Sequence, residues 1–243
     1  MYQTRYYRNL HQSNDLVSFE VNIKETDLYI SACAKLPQEA TKVVRVQRRE
    51  LESYIENNPE FLTSLRPLSL QDNMPFIARK MTEVSILAGV GPMAAVAGVL
   101  AEIVGRELLR VSPEIIVENG GDVFIKTGKR RVIGIYPGEH SPFKNKLAIE
   151  IQAREQPMGI STSSGTLGHS LSLGKADSVT VLAVDAGLAD AAATAIANMV
   201  ITPGDLNQAI EHAQSIAGLT GVIVVKDDKL GIWGKVKLVE GKG

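Results

Sequence analysis

The sequence has one cysteine, Cys33, in 243 residues. That excludes an internal disulfide and any zinc site built from several thiolates. Cys33 falls in an expected N-terminal strand, far along the chain from the polar motifs, which argues against covalent thiol catalysis. Net charge is also nearly absent: 26 basic side chains face 27 acidic ones. A broad basic surface for nucleic acid is therefore not implied. No apolar run is long enough to span a bilayer, so no membrane partner is expected. The opening residues, Met1 to Arg8, have no apolar core behind their charges. They do not read as a signal peptide, and the cytoplasm is the expected location. Histidine is scarce: His11, His140 and His212 form no motif with His169.

What is present is a soluble composition long enough for one large domain or two small ones. Val17–Ile23 alternates and reads as a strand, Glu25-Thr-Asp27 as a turn, and Leu28–Ala32 as the returning strand. Pro37 opens a helix to about Asn57, because proline suits a first helical position. Residues 66–75, with two prolines, read as a linker. Glu83–Ala88 reads as an apolar strand, Gly89-Val-Gly91 as a turn, and Pro92 as the start of a helix to about Arg110. Glu114–Lys126 is a strand broken at Asn119-Gly-Gly121. Further strands are expected at 131–136, 146–152 and 179–184. Helices follow over 186–200 and from Asp205 to about Ile216, then a closing hairpin over 221–239.

Val84-Ser-Ile-Leu-Ala88 and Val179-Thr-Val-Leu-Ala183 are nearly the same string. Each precedes a small-residue helix and then strands. The reading is an α+β chain made of two related β-α-β-hairpin lobes, 76–152 and 157–243, with an N-terminal hairpin and helix over 1–66 as an extension. Two such lobes would form a site between their helices.

The chemistry concentrates between Gly159 and Asn198. Asp190, Thr194 and Asn198 are spaced four apart in an alanine-rich helix, which puts them on one face. Asp190 and Thr194 supply hard oxygens that suit Mg²⁺, with phosphate and water completing the shell. The alternative is structural: Asp190 caps the helix and Thr194 bonds back to a carbonyl. Asp185 is a competing cap, which would leave Asp190 free. Thr162, Ser163, Ser164, Gly165 and Thr166 read as a hydroxyl- and glycine-rich loop able to seat an anion, or else as a solvated turn. That loop lacks the Gly-Lys-Ser/Thr ending of a Walker motif. His169 at its end could transfer a proton, or serve only as a hydrogen bonder. Gly91 and Pro92 place free N–H groups at a helix start, a second anion seat or a tight turn. Asn119, Gly120, Gly121 and Asp122 mark a bulge, a close ligand approach or an ordinary hairpin. Glu102 faces either this site or water.

Four ordered motifs carry a family resemblance: Gly89–Gly98, Val117–Asp122, Thr162–Ser170 and Leu188–Thr194. Together with Glu25-Thr-Asp-Leu28, they resemble the UPF0280 family, a branch of the ApbE-like superfamily named for its flavin transferase. The resemblance covers nearly the whole chain. It implies a single ApbE-like α+β domain with two related lobes. It also implies Mg²⁺ at Asp190 and Thr194 beside the pyrophosphate of FAD, with Thr162–Gly165 and Asn119–Gly121 completing the pocket for FAD or FMN. His169 is the nearest counterpart of a transferase histidine.

Three departures qualify that implication. The Asp-Pro-Arg-Thr-Gly segment of flavin transferases is missing, Ala97 stands where a helix lysine is expected, and Glu102 stands near an expected aspartate. The expected activity is therefore an Mg²⁺-assisted reaction on a phosphate- or nucleotide-bearing small molecule. The resemblance also implies a rival role in sulfur transfer for homocysteine synthesis. Because position 161 is serine, an iron–sulfur protein partner would have to supply the sulfur. A non-catalytic flavin-binding module is the third reading. A homodimer is the expected assembly.

Overall fold

The strands Val17–Ile23 (β1) and Thr26–Ala32 (β2) pair as an antiparallel hairpin in the register Val17 to Ala32. The structure, a computed structural model, describes residues 15–139, 141–144, 146–164 and 174–241. After β2 come helices Pro37–Asn57 (α1), Glu60–Thr63 (α2) and Phe76–Ala88 (α3), a 3-10 turn at Pro92–Ala95, and helix Val96–Leu108 (α4). Strands Ile115–Asn119 (β3) and Asp122–Lys126 (β4) form the next hairpin, followed by Arg131–Gly134 (β5) and Leu147–Ile151 (β6). The second half runs through Met158–Ser163 (β7), Ser178–Ala183 (β8), Ala186–Met199 (α5), Leu206–Ser215 (α6), Leu219–Lys226 (β9), Lys229–Gly234 (β10) and Leu238–Glu240 (β11).

Eight strands form one antiparallel sheet in the order β1-β2-β3-β4-β7-β8-β9-β10, and β11-β6-β5 form a second. The helices cover one face of the large sheet. Val117, Phe124, Val179, Val181, Val222 and Val224 point into that core. The small sheet covers the other face, against Val123, Ile125, Ile160, Leu182, Ile223 and Val225. Two covered faces explain why β4, β8 and β9 bury apolar residues on both of their faces. Among the described residues no single helix is long and apolar enough to cross a membrane.

The chain does repeat, but in a different unit from the expected one. Hairpin, helices and hairpin occur as β1–β2, α1–α4, β3–β4 and again as β7–β8, α5–α6, β9–β10. The N-terminal hairpin joins the large sheet at its edge, through the pairing of β2 with β3. The expected strand over Glu83–Ala88 is the C-terminal half of α3. Ile77, Met81, Val84 and Ala88 of α3 are buried at helical spacing, so the likeness to Val179–Ala183 is one of composition only. Gly159–Ser163, expected in a loop, lies in β7 at the centre of the large sheet, between β4 and β8. The closing strand divides at Gly234 into β10 and β11, which join different sheets.

Candidate functional site

Alanine and glycine dominate α5, and small side chains let a helix lie close to its neighbours. It packs against α4, β7, β8 and α3. Asp185 is its N-cap, accepting the Leu188 N–H on Oδ1 at 3.0 Å, and it pairs with Lys80 at 2.9 Å. That leaves Asp190 free of the capping role on its own helix. Asp190, Thr194 and Asn198 are partly exposed, while Ala191–Ala193 and Ala195–Ala197 between them are buried. The polar face expected from their spacing is present.

Asp190 Oδ2 accepts the backbone N–H of Gly98 at 2.8 Å. Gly98 is the third residue of α4, whose N-cap, Ala95, offers no side-chain acceptor. Asp190 thus answers orphan N–H groups at the start of the neighbouring helix. The contact requires glycine: a Cβ on Gly98 would stand 2.3 Å from the Ala186 carbonyl oxygen and 2.7 Å from Asp190 Cβ. The N–H groups of Gly98 and Ala97 favour the Asp190 carboxylate, but burial outweighs them and pushes it up to about 7.

Asp122, at the start of β4, faces the same place. It is 8 % exposed, and its carboxyl is pushed well above the usual range. Burial is the main cause, the charges of Asp190 and Glu118 add to it, and nearby Ser161 opposes it. The charged groups acting on Asp122 are both carboxylates. Ser161 is the register partner of Asp122 across β4 and β7, fully buried, and its Oγ meets no partner at hydrogen-bond geometry.

The turn before Asp122 is set by glycine. Gly120 has φ +70 and Gly121 φ +108, conformations that side chains with a Cβ rarely adopt. Asn119 Nδ2 donates to the Ala97 carbonyl at 3.1 Å, tying this turn to the start of α4. The Gly121 N–H donates to Glu118 Oε1 at 3.0 Å, so it is already engaged within the chain. The Thr162 N–H donates to the Gly121 carbonyl, and Thr162 Oγ1 bonds Thr180 Oγ1 at 2.9 Å.

Of the expected site residues, Asp190, Asp122, Asn119, Gly120, Gly121 and Thr162 therefore gather around the start of α4. Thr194 lies one turn along α5 from Asp190. Ser163 and Ser164 stand at the end of β7, both partly exposed. Gly165, Thr166 and His169 lie outside the described residues. Gly91 and Pro92 are buried, and the Ser64 carbonyl fills the space of a Gly91 Cβ at 1.8 Å, so close packing explains that glycine. Sequence reasoning missed Ser161 as a site residue. Its signal was its position beside Asp122, which appears only when β4 and β7 pair. Ala97 was read only as a departure from a motif, and Gly98 only as the end of the Gly89–Gly98 motif; the structure makes their backbone part of the site.

A UPF0280 protein of Methanopyrus kandleri is 40% identical over 237 residues, covering 94% of this chain and 95% of its own. One from Methanocaldococcus jannaschii is 40% identical over 220 residues, covering 88% and 89%. The chain belongs to the UPF0280 family. A family model described as "AbpE bacteria" matches residues 8–228 of this UPF0280 chain. Among solved structures, the ApbE protein of Thermotoga maritima aligns with TM-score 0.55 at 15% identity, over 90% of this chain and 96% of that one. The flavin transferase ApbE of Vibrio cholerae aligns with TM-score 0.53 at 14% identity, over 90% and 96%. The UPF0280 chain therefore has the ApbE flavin transferase fold.

Proposed function

We propose that the chain is an ApbE-fold enzyme that binds a phosphate-bearing small molecule together with Mg²⁺. A flavin nucleotide is the first ligand to test, because the solved proteins it resembles are named flavin transferases. The supporting observation is the pairing of Asp122 and Asp190. The Asp122 carboxyl is buried, the Asp190 charge acts on it, and among the described residues the charged groups that shift it are both carboxylates. Such a pair holds a proton, a cation, or one in exchange for the other.

The donors fit Mg²⁺. Asp190 supplies a carboxylate and Thr194 a hydroxyl, both hard oxygens on a partly exposed face, and ligand phosphate and water would complete six positions. When bound, the ion would act as a Lewis acid and template on phosphoryl oxygens. The chain's own residues do the rest. Gly98 and Ala97 orient the Asp190 carboxylate through their N–H groups. Burial and the neighbouring carboxylates favour the protonated form of Asp122, and a bound cation would favour the ionised one. Ser161 offers a buried hydroxyl beside Asp122, whose ionised form it favours. His169 would move a proton at the ligand. Flavin transfer itself is not proposed, since the Asp-Pro-Arg-Thr-Gly segment is missing.

The sulfur-transfer reading needs a thiol or a partner's cluster at this place. Ser161 occupies it, and Cys33 lies beyond Ala32, at the end of β2 opposite Asn119. The geometry favours the phosphate reading. Calorimetric titration of FAD with and without Mg²⁺ tests it. Binding that depends on Mg²⁺ and is lost in Asp190→Ala is the expected result; Mg²⁺-independent binding, or binding unchanged by the substitution, overturns it.

A further inference from the structure

Glu102 is buried on α4, at 4 % exposure, yet it touches none of the site residues. Its Oε2 accepts the Ala186 N–H, the first of α5, at 2.5 Å. Its Oε1 takes Arg106 Nε at 2.7 Å, so the buried charge is paired. Asp185, the N-cap of α5, answers Leu188 and leaves Ala186 to Glu102. A carboxylate at this depth costs far more than an apolar side chain would, so packing alone does not account for it.

The pairing has a partner one helical turn away. Gly98 and Glu102 are four apart on α4; Ala186 and Asp190 are four apart on α5. Gly98 meets Asp190 and Glu102 meets Ala186, in antiparallel sense. Between them the helices touch, because Gly98 has no Cβ and Val99 packs on Gly187. Hydrogen bonds weaken steeply with misalignment, so two of them at fixed spacing define the axial position of one helix on the other.

We propose that Glu102 is a positioning residue that sets the register of α5 on α4, and through it the place of Asp190 and Thr194. This rests on the reading of that face as the binding site, but the register itself can be tested without ligand. Amide hydrogen exchange on the full-length protein reads both ends of the pairing. In Glu102→Ala, exchange should accelerate about tenfold or more at Ala186, which loses its acceptor, and also at Gly98, whose bond to Asp190 depends on the register that Glu102 sets. Glu102→Gln keeps an acceptor and should stay within about threefold of wild type at both. If the alanine variant does not fold, Glu102→Asp, too short to reach Ala186, should show the alanine pattern. Leu108→Ala, a core change on the same helix, is the control for general loosening. Acceleration at Ala186 but not Gly98, or an equal rise at Gly98 in Leu108→Ala, overturns the proposal. In parallel, Mg²⁺-dependent FAD affinity should fall about tenfold in Glu102→Ala and survive in Glu102→Gln. Wild type that binds no FAD would remove the phosphate reading while leaving the exchange result to decide the register.

Discussion

Gly98 and Asp190, 92 residues apart in the chain, are joined by one 2.8 Å hydrogen bond that only a glycine permits. The bond serves two ends. It satisfies the start of α4, and it fixes a carboxylate whose charge acts on Asp122 instead of leaving it free to rotate. Replacing Gly98 with alanine puts a methyl group 2.3 Å from the Ala186 carbonyl oxygen, and backbone on both helices must give way. The expected loss is about 1–3 kcal/mol, the usual range for overpacking. Urea denaturation measures it, and a change under about 0.5 kcal/mol would show that the helices are not in close contact there.

Asp190 makes stability depend on pH. Its ordinary value is 3.8, and the fold raises it to about 7. Below 3.8 both folded and unfolded chains hold the proton, and the contribution is complete. From 3.8 to 7 only the folded chain holds it, so stability falls as pH rises, and the full cost is present above 7. At most this amounts to about 4 kcal/mol. Asp190→Asn keeps the acceptor for Gly98 and abolishes the titration. The variant should exceed wild type in stability at pH 8 and match it near pH 3.5, with added Mg²⁺ narrowing the gap at pH 8. Parallel stability profiles from pH 3 to 9 would contradict the assignment.

Ser161 is a buried hydroxyl beside Asp122, and its Oγ makes no bond of good geometry. A polar group in that state costs the fold and gains only when a ligand arrives. Ser161→Ala should therefore leave stability unchanged or raise it by up to about 1 kcal/mol, while weakening Mg²⁺-dependent FAD binding. A clear drop in melting temperature would place the hydroxyl in a bond with Asp122 instead.

Asp185 and Asp190 should separate by function. Asp185→Ala removes the cap on Leu188 and should cost about 1 kcal/mol. Asp185→Asn retains the cap and loses the pairing with Lys80, for about 0.5 kcal/mol. Neither should abolish ligand binding, because Glu102 still holds the first N–H of α5. Loss of binding in Asp185→Asn, measured by the same titration, would mean that the Lys80 charge reaches the ligand.

Local chemistry made several elements legible before any fold was known. Pro37 marked the start of α1 and Asn57 its last residue. The break at Asn119-Gly-Gly121 was legible, with a hairpin among its readings, and two adjacent positive φ values call for glycine there. The polar face of α5 followed from the spacing of Asp190, Thr194 and Asn198, and Asp185 as the cap followed from its place before an apolar helix.

What failed to show was whatever depended on neighbours. A six-residue apolar run at Glu83–Ala88 suits a buried strand as well as a buried helix. Only its packing as part of α3 against α4, α5 and the Pro92–Ala95 turn decides between them. The hydroxyl-rich Gly159–Ser163 looked solvated, because serine and threonine cost free energy when buried. Pairing in mid-sheet, with Thr162 bonded to Thr180, removes most of that cost. The sequence by itself determined the family, the α+β class and which side chain types α5 presents, since these rest on residue identity and spacing. The tertiary structure alone decided that the Asp190 charge acts on Asp122, that Ser161 lies beside Asp122, and that Gly98 and Glu102 reach across to α5. Those relationships join residues from about 40 to over 90 positions apart, and no local pattern along the chain encodes a distance across it.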